Sequence, residues 1–284
     1  MSSPKVAFIL LTWNSKDYCE ACLRSILSLR EIDPMIYVAD NGSEDDTPER
    51  LRNMASAFPS KIDITFYPKN KGTTKPRNFL LAKARKEAPD YICILDSDTL
   101  ITDMAMMELI RALREDEQLS LVTPRMWNRS EEEQMSAKRF PTLRGKCLKA
   151  SRNPEKRRQG VEAEKYDFFP APTTDGHPPV TPESDKAVYE VDYAISACWL
   201  FTPEVPEKFG MLDEHYFYAP EDVDYCANIA RKGGKVALVS HSSIYHLTQR
   251  VSHKKRISIM NVHHICGLIR YFMKYRYINH PKIR

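Results

Sequence analysis

Two carboxylates close an apolar run in residues 91–99, Tyr-Ile-Cys-Ile-Leu-Asp-Ser-Asp-Thr. A short apolar run bounded by polar residues predicts a buried strand, and core packing gives no reason for two acids at its carboxyl end. Open α/β sheets bind their ligands at that end. Asp96 and Asp98 could therefore share a hard divalent cation with phosphate oxygens. The alternative is a strand followed by a helix that Asp98 or Thr102 caps.

A second acidic cluster lies downstream, in residues 211–225, Met-Leu-Asp-Glu-His-Tyr-Phe-Tyr-Ala-Pro-Glu-Asp-Val-Asp-Tyr. Glu221 and Asp222 fall in the first turn of a predicted helix, where the helix dipole favours acids in any protein. The functional interpretation is that Asp222 removes a proton from an acceptor hydroxyl while Glu221 orients that acceptor. This motif alone does not separate the two interpretations.

A histidine follows a later predicted strand, in residues 240–246, Ser-His-Ser-Ser-Ile-Tyr-His. An imidazole can complete the shell of a borderline cation such as Mn²⁺ that one carboxylate and a diphosphate already hold. A lone histidine is more often a packed or surface residue, and His241 competes with His246 for the role of ligand. The assignment of His246 therefore depends on the acidic clusters.

Small polar residues follow the other predicted strands. Thr12 and Asn14 come after the first, and residues 40–42, Asp-Asn-Gly, come after the second. A carboxylate at residue 40 suits the N–H edge of a pyrimidine or a ribose hydroxyl, although Asp-Asn-Gly also forms turns without a ligand. Further along, Gly72 precedes Arg77 at a predicted helix start, where a guanidinium could meet a diphosphate.

The elements that must position these groups alternate between strands and helices in the first half of the chain. Strands are predicted over residues 6–11, 35–39, 62–67 and 91–95. Helices are predicted between them, from a Ser15 cap, from Thr47 before Pro48, and over residues 75–88. Regular structure returns at residues 188–201, with a helix over 220–231 and a strand over 235–239. The order predicts a nucleotide-binding α/β topology.

Two segments do not follow this alternation. Residues 129–186 hold charged clusters and several prolines, which predicts a long charged loop or insertion. Residues 256–277 mix apolar and basic side chains: Ile257, Met260, His264, Leu268, Tyr271 and Phe272 with Arg256, Arg270, Lys274 and Arg276. This second segment is either a helix that closes the core or a basic amphipathic face that, with residues 146–158, contacts an anionic membrane.

Composition excludes several classes of protein. The chain has 284 residues, 42% of them apolar, and a net charge of +4. Its seven cysteines show no zinc-like spacing, which favours reduced thiols and a cytoplasmic protein. The start of the chain predicts no secretory leader, and no apolar run approaches the roughly 20 residues needed to span a bilayer. Dispersed basic residues without a reader motif argue against a nucleic-acid partner.

In chain order, these motifs resemble the family 2 glycosyltransferases. The matching parts are Phe-Ile-Leu-Leu-Thr-Trp-Asn at 8–14, Val-Ala-Asp-Asn-Gly-Ser at 38–43, Asn-Lys-Gly at 70–72 before Arg77-Asn78, Ile-Leu-Asp-Ser-Asp at 94–98, Ser-Ala-Cys-Trp-Leu at 196–200, Tyr-Ala-Pro-Glu-Asp-Val-Asp at 218–224 and Ile-Tyr-His at 244–246. The resemblance covers about residues 6–277 except the 129–186 stretch. It is strongest to the rhamnosyltransferase-type branch.

The resemblance implies a GT-A fold, an open, mostly parallel mixed sheet flanked by helices, and metal-dependent inverting sugar transfer. The donor would be a nucleotide diphosphate sugar and the acceptor a hydroxyl of a glycan or lipid-linked molecule, in bacterial surface polysaccharide synthesis. The implied cofactor is Mn²⁺ or Mg²⁺, held by Asp98 and His246, and the implied general base is Asp222, assisted by Glu221. The implied donor nucleotide-binding residues are Thr12, Asn14, Asp40, Asn41, Gly72, Arg77, Asp96 and Ser97.

The predicted organisation is one GT-A domain over residues 1–255, followed by a basic amphipathic helical segment over 256–284. Within the domain, residues 1–125 form the nucleotide-sugar half and 187–255 the acceptor half. The predicted location is cytoplasmic, at the inner face of the membrane. Two alternatives are a sugar nucleotidyltransferase, which would want a Gly-rich amino-terminal loop, and a non-catalytic glycan-binding relative, since a fold does not fix its function.

Overall fold

The computed structural model describes residues 3–166, 188–247 and 259–276. The strands are β1 (Lys5–Thr12), β2 (Asp33–Asp40), β3 (Ile62–Phe66), β4 (Tyr91–Asp96), β5 (Thr99–Leu100), β6 (Leu119–Trp127), β7 (Glu133–Gln134), β8 (Ala137–Lys138), β9 (Val188–Val191), β10 (Tyr193–Ala194), β11 (Cys198–Phe201) and β12 (Lys235–His246). The helices are α1 (Cys19–Leu27), α2 (Thr47–Ala57), α3 (Thr74–Ala84), α4 (Asp103–Glu115), α5 (Leu143–Lys149), α6 (Pro154–Glu162), α7 (Val205–Phe209), α8 (Glu221–Arg231) and α9 (Ile259–Tyr275), with a 3₁₀ turn at Arg85–Glu87.

The described strands form one mixed sheet in the order β3-β2-β1-β4-β11-β6-β12-β5, with β7 paired to β6 and β9 to β12. β1 to β4 run parallel to one another, whereas β11 is antiparallel to both β4 and β6. Parallel neighbours end at the same edge of a sheet. Thr12 is therefore opposite Asp40, and Leu11 is opposite Asp96, so the predicted ligand residues of three strands lie side by side.

The sheet is buried on both faces, which explains why its strands are continuous apolar runs. Successive side chains of a strand point to opposite faces. In β1, Val6, Phe8 and Leu10 join one hydrophobic cluster with α1, α2 and α4, while Ala7 and Ile9 join a second cluster with α3, α8 and α9. This double cover holds the sheet rigid beneath the site at its edge.

The first-half strands and the helix that begins at Thr47 before Pro48 are confirmed. The predicted Ser15 cap is wrong, because α1 begins at Cys19 and the Ser15 hydroxyl contacts that of Ser97 at 3.0 Å. The cap of α4 is Thr102 and not Asp98, since the Thr102 side chain accepts the amide of Ala105. The Asp98 carboxylate therefore has no capping role in α4.

The stretch predicted as a loop or insertion is not a loop in its described part. Residues 129–166 contain β7, β8, α5 and α6, and residues 167–187 lie outside the described residues. The buried Glu164 holds α5 in place through Lys149 at 2.6 Å and Lys146 at 3.2 Å. Sequence periodicity missed the two helices because they are short and polar, so this ion cluster, rather than a wide apolar face, anchors them.

The last two elements also depart from the predictions. β12 continues to His246 instead of ending at Val239, with a register shift between Val239 and Ser243. In α9, Tyr271 and Tyr275 are buried in the core, which confirms the core-closing alternative for that face of the helix. Ile257 lies outside the described residues. No described helix is both long and apolar enough to cross a membrane.

Candidate active site

Asp96, Asp98 and His246 form a compact cluster at the carboxyl edge of the sheet. β5 pairs with the end of β12 so that His246 is opposite Thr99, and the amide of Leu247 donates to the carbonyl of Asp98 at 2.8 Å. His246 Nε2 lies 3.3 Å from Asp98 Oδ1 and 4.0 Å from Asp96 Oδ2. One ligand atom from each residue falls within 4.8 Å of the others, which suits a single divalent cation.

Gln134 orients the imidazole of this cluster. Its Oε1 lies 2.8 Å from His246 Nδ1, and its Nε2 donates to the His246 carbonyl at 3.2 Å. An acceptor at Nδ1 holds a proton on that nitrogen and turns Nε2 toward the carboxylates of Asp98 and Asp96. Burial lowers the pKa of His246, but the nearby Asp98 and Asp96 carboxylates outweigh burial and raise it overall. A bound cation would replace that proton.

Arg77 connects Asp96, at the end of β4, to Glu221, at the start of α8. Its guanidinium donates to Asp96 at 2.8 Å and Ser196 at 2.9 Å, and it lies 3.4 Å from Glu221. The side chain is only 4% exposed. Burial raises the pKa of Asp96, Arg77 opposes that rise, and Asp98 adds to it. The expected diphosphate contact of Arg77 stays a prediction, because the structure places the guanidinium against carboxylates.

Asp40 is fixed at the end of β2 by its neighbours. The Thr12 hydroxyl donates to its Oδ1 at 3.0 Å, and Ser43 donates to it through both hydroxyl and amide, at 2.6 and 3.1 Å. Asn14 belongs to the same loop cluster, since its Oδ1 accepts the amide of Glu44 at 2.9 Å. The structure thus brings together Thr12, Asn14 and Asp40, while their contact with a nucleoside stays a prediction.

Asn41 and Gly72 shape the loop beside that cluster. Asn41 donates to Asn70 at 3.0 Å and to the Gly72 carbonyl at 2.9 Å. Gly72 has φ +82°, and a Cβ there would lie 2.4 Å from the Phe217 carbonyl oxygen. Only glycine fits so close an approach. The loop after β3 is consequently locked against residues 216–217, which shortly precede Glu221 and Asp222.

Asp222 has the electrostatic character of a base near neutral pH. It begins α8 with Glu221, and its Oδ1 accepts the amide of Val223 at 2.8 Å. Burial, followed by the adjacent charge of Glu221, raises its pKa to about 7, and Lys138 and Arg77 partly oppose that shift. A carboxylate poised near the working pH is suited to accept a proton. The roles of Asp222 and Glu221 stay predictions.

Asp224, the next acid of the motif, has a structural role. It is buried, and Lys274 of α9 donates to its two oxygens at 2.8 and 2.9 Å. The Tyr216 hydroxyl adds a third hydrogen bond at 3.0 Å. These contacts fasten α9 to α8, and both carboxylate oxygens of Asp224 are used in them.

Sequence reasoning missed Gln134 and Lys138 as residues of this site. Ser43 ends the motif at residues 38–43, and its hydrogen bonds to Asp40 fit the turn chemistry of Asp-Asn-Gly-Ser. Gln134 and Lys138 lie in the stretch predicted as a loop, so no sequence signal tied them to the sheet edge. Ser97 contacts Ser15 and lies between the two cluster carboxylates.

The chain is similar in sequence to a known protein family and to several characterised proteins. The family model described as "Glycosyl transferase family 2" matches residues 7–173. The poly-beta-1,6-N-acetyl-D-glucosamine synthase of Staphylococcus epidermidis is 29% identical over 128 residues, 44% of this chain and 30% of that protein. The Staphylococcus aureus synthase is 28% identical over 127 residues, with the same coverage. The chain thus spans less than a third of the length of these curated relatives.

Solved structures share the fold at low identity. GalNAc-T7 with UDP, GalNAc and Mn²⁺ aligns with a TM-score of 0.62 and 12% identity over 90% of this chain and 45% of that one. The mannosyltransferase PcManGT of Pyrobaculum calidifontis, with GDP-Man and Mn²⁺, gives 0.62 and 16% over 96% and 64%. S. aureus TarS gives 0.56 and 16% over 86% and 60%. These proteins have the GT-A fold, which the mixed sheet described above shares.

Proposed function

Because the chain belongs to glycosyl transferase family 2, we propose that it transfers a sugar from a nucleotide diphosphate donor to a hydroxyl acceptor in one inverting displacement. The observation that carries this proposal is a pair of sites that Arg77 joins. A cluster suited to a cation lies at Asp96, Asp98 and His246, and a carboxylate with a pKa of about 7 lies at Asp222. Arg77 contacts an acid of each site.

The donor would lie across the carboxyl ends of β1, β2 and β4. We propose that Asp40, held by Thr12 and Ser43, faces the nucleoside, while Asn14, Asn41, Gly72 and Ser97 shape the loops around it. Two similar structures, of GalNAc-T7 and PcManGT, contain UDP and GDP-Man respectively together with Mn²⁺. A Mn²⁺ or Mg²⁺ ion held by Asp98 and His246 would neutralise the charge of the departing diphosphate.

Asp222 would accept the proton of the acceptor hydroxyl while Glu221 orients that acceptor. Their electrostatic coupling supports this division of roles, because the charge of Glu221 raises the affinity of Asp222 for a proton. Attack from the Asp222 side, opposite the leaving diphosphate, inverts the anomeric carbon. Fixing both substrates on a rigid sheet edge would supply several further kcal/mol of rate enhancement.

The acceptor we propose is a glycan or lipid-linked hydroxyl used in bacterial surface polysaccharide synthesis, at the cytoplasmic face of the membrane. Similarity to the Staphylococcus synthases supports the polysaccharide class. Seven free cysteines support a reducing compartment. The rhamnosyltransferase-type branch stays a prediction. A nucleotidyltransferase is disfavoured because the loop after β1 reads Thr-Trp-Asn, without the glycines such an enzyme would want.

A thermal-shift panel of nucleotide diphosphate sugars tests the proposed donor class. One sugar nucleotide should raise the melting temperature with Mn²⁺ and much less with chelator, since a ligand at 100 times its Kd adds about 2.7 kcal/mol of stability. The same nucleotide should then support transfer or slow hydrolysis. If no member of the panel stabilises the protein in either condition, the donor class is wrong.

The pH dependence of transfer follows from Asp222. Its carboxylate must be unprotonated to act as base, so kcat/KM should fall about tenfold per pH unit below roughly 7 and level off above it. Initial rates from pH 5 to 9 with constant Mn²⁺ give the profile. The Asp222→Asn variant is the control, because its residual rate should lose this dependence near pH 7. A wild-type profile that stays flat down to pH 5 contradicts the assignment.

A further inference from the structure

The outer face of α9 is apolar, although it faces solvent among the described residues. Val262, Ile265, Ile269 and Met273 are 51%, 56%, 55% and 74% exposed. Their spacing of three, four and four residues puts them on one stripe, which we call the α9 stripe. A helix on a protein surface normally carries polar side chains there. Four large exposed apolar side chains in a row mark an interaction surface.

The stripe cannot turn inward, because the opposite face of α9 is fixed. Tyr271 and Tyr275 are buried in the core, and Lys274 is bonded to the buried Asp224. In the middle of the helix, a Cβ on Gly267 would lie 2.4 Å from the Ala219 carbonyl oxygen, so the two backbones are in close contact. The residues that the sequence assigned to membrane contact include Tyr271, but its side chain is buried in the core. The exposed stripe comprises four different residues.

A strongly basic unit lies near α9, the helix that carries the stripe. Residues 138–165, which contain α5 and α6, have ten Lys or Arg and three Glu. Lys156, Arg157 and Arg158 are exposed on α6. The charge of Lys146 on α5 helps to lower the pKa of His264, which places α5 close to α9. We call residues 138–165 the basic unit.

We propose that the α9 stripe and the basic unit together form a docking surface for an anionic lipid bilayer. An interface of this kind buries aliphatic side chains among acyl chains while cations meet anionic head groups. A second copy of this chain would cover the stripe but would bring a like-charged basic unit to the same interface. A nucleic acid would neutralise the basic unit but leave the stripe exposed. Of these three occupants, only an anionic bilayer would both cover the apolar stripe and neutralise the basic unit.

Docking would bring the membrane close to the proposed base. Gly267 of α9 contacts Ala219 and Pro220, which directly precede Glu221 and Asp222. Phe217 in the same loop stacks on His263 of α9 at 4.3 Å between ring centres. The docking surface is independent of catalysis, so either proposal can fail while the other holds.

Co-sedimentation of the full chain with vesicles tests the docking surface. Binding should occur to phosphatidylcholine vesicles that contain phosphatidylglycerol, weaken with added salt, and be absent for pure phosphatidylcholine. The double variant Ile265→Glu/Ile269→Glu should weaken partitioning more than about tenfold. Lys156→Glu/Arg157→Glu should weaken it about tenfold. All four residues are exposed, so melting temperatures should match the wild type.

Matched controls lie elsewhere on the surface. Met104→Glu replaces a side chain that is 68% exposed on α4, and Arg30→Glu/Lys86→Glu reverses two exposed charges. Both should bind vesicles like the wild type. The proposal is overturned if the full chain does not bind anionic vesicles, or if the controls weaken binding as much as the test variants. It is also overturned if light scattering shows a dimer that Ile265→Glu/Ile269→Glu dissociates, because a second copy then covers the stripe.

Discussion

Replacing Asp222 by asparagine is expected to lower sugar transfer about 100-fold or more while leaving donor binding unchanged. The amide keeps the shape and the contact with the Val223 amide, but it cannot accept a proton. A loss of this size is typical when a general base is removed. Single-turnover rates measure the loss, and calorimetry with the donor and Mn²⁺ measures binding.

The stability of the same variant separates catalysis from folding. Burial and the charge of Glu221 raise the folded-state pKa of Asp222 above its ordinary value of 3.8, so ionising this group costs folding free energy. The sign follows from linkage: the folded state holds more protons between about pH 4 and 7, and stability falls as pH rises through that window. Asp222→Asn removes the cost, so its melting temperature at pH 8 should equal or exceed that of the wild type.

Asp224→Asn serves as a comparison, because it should affect stability more than rate. That carboxylate is bonded to Lys274 and Tyr216, and its replacement weakens the attachment of α9 to α8. We expect a lower melting temperature with a smaller change in rate. Near-normal turnover of Asp222→Asn, with donor binding intact, would move the base to Glu221.

The parallel half of the fold could be predicted from sequence because one rule governs it. A strand covered on both faces must be apolar throughout, so β1, β2 and β4 are visible as runs, and parallel pairing then aligns their ends. Core packing does not explain why Asp40, Asp96 and Asp98 lie at those ends. Sequence order and sheet geometry were therefore enough to predict that these acids lie close together. They do not show what the acids bind.

The remaining features depend on contacts that have no local sequence signal. His246 reaches Asp98 because β12 runs past a register shift and pairs with the short β5. Gln134 reaches His246 from a two-residue strand. In α9, both faces carry apolar side chains, so periodicity could not say which face packs on the core. The contacts of Gly267 with Ala219 and of Lys274 with Asp224 decide it.

Replacing Asp98 by asparagine is expected to abolish the effect of Mn²⁺ on donor affinity with the fold intact. Asp98 is the cluster acid nearest His246 Nε2, at 3.3 Å, and a neutral amide is a far weaker ligand for a hard cation. Calorimetry of the nucleoside diphosphate with and without Mn²⁺ measures the effect. Gln134→Leu keeps all three ligands but frees the imidazole, so it should weaken Mn²⁺ binding by only about 10- to 100-fold. Asp103→Asn on α4 is a control outside the cluster and should behave like the wild type. Unchanged Mn²⁺ dependence in Asp98→Asn would show that the cation, if it acts at all, is held elsewhere.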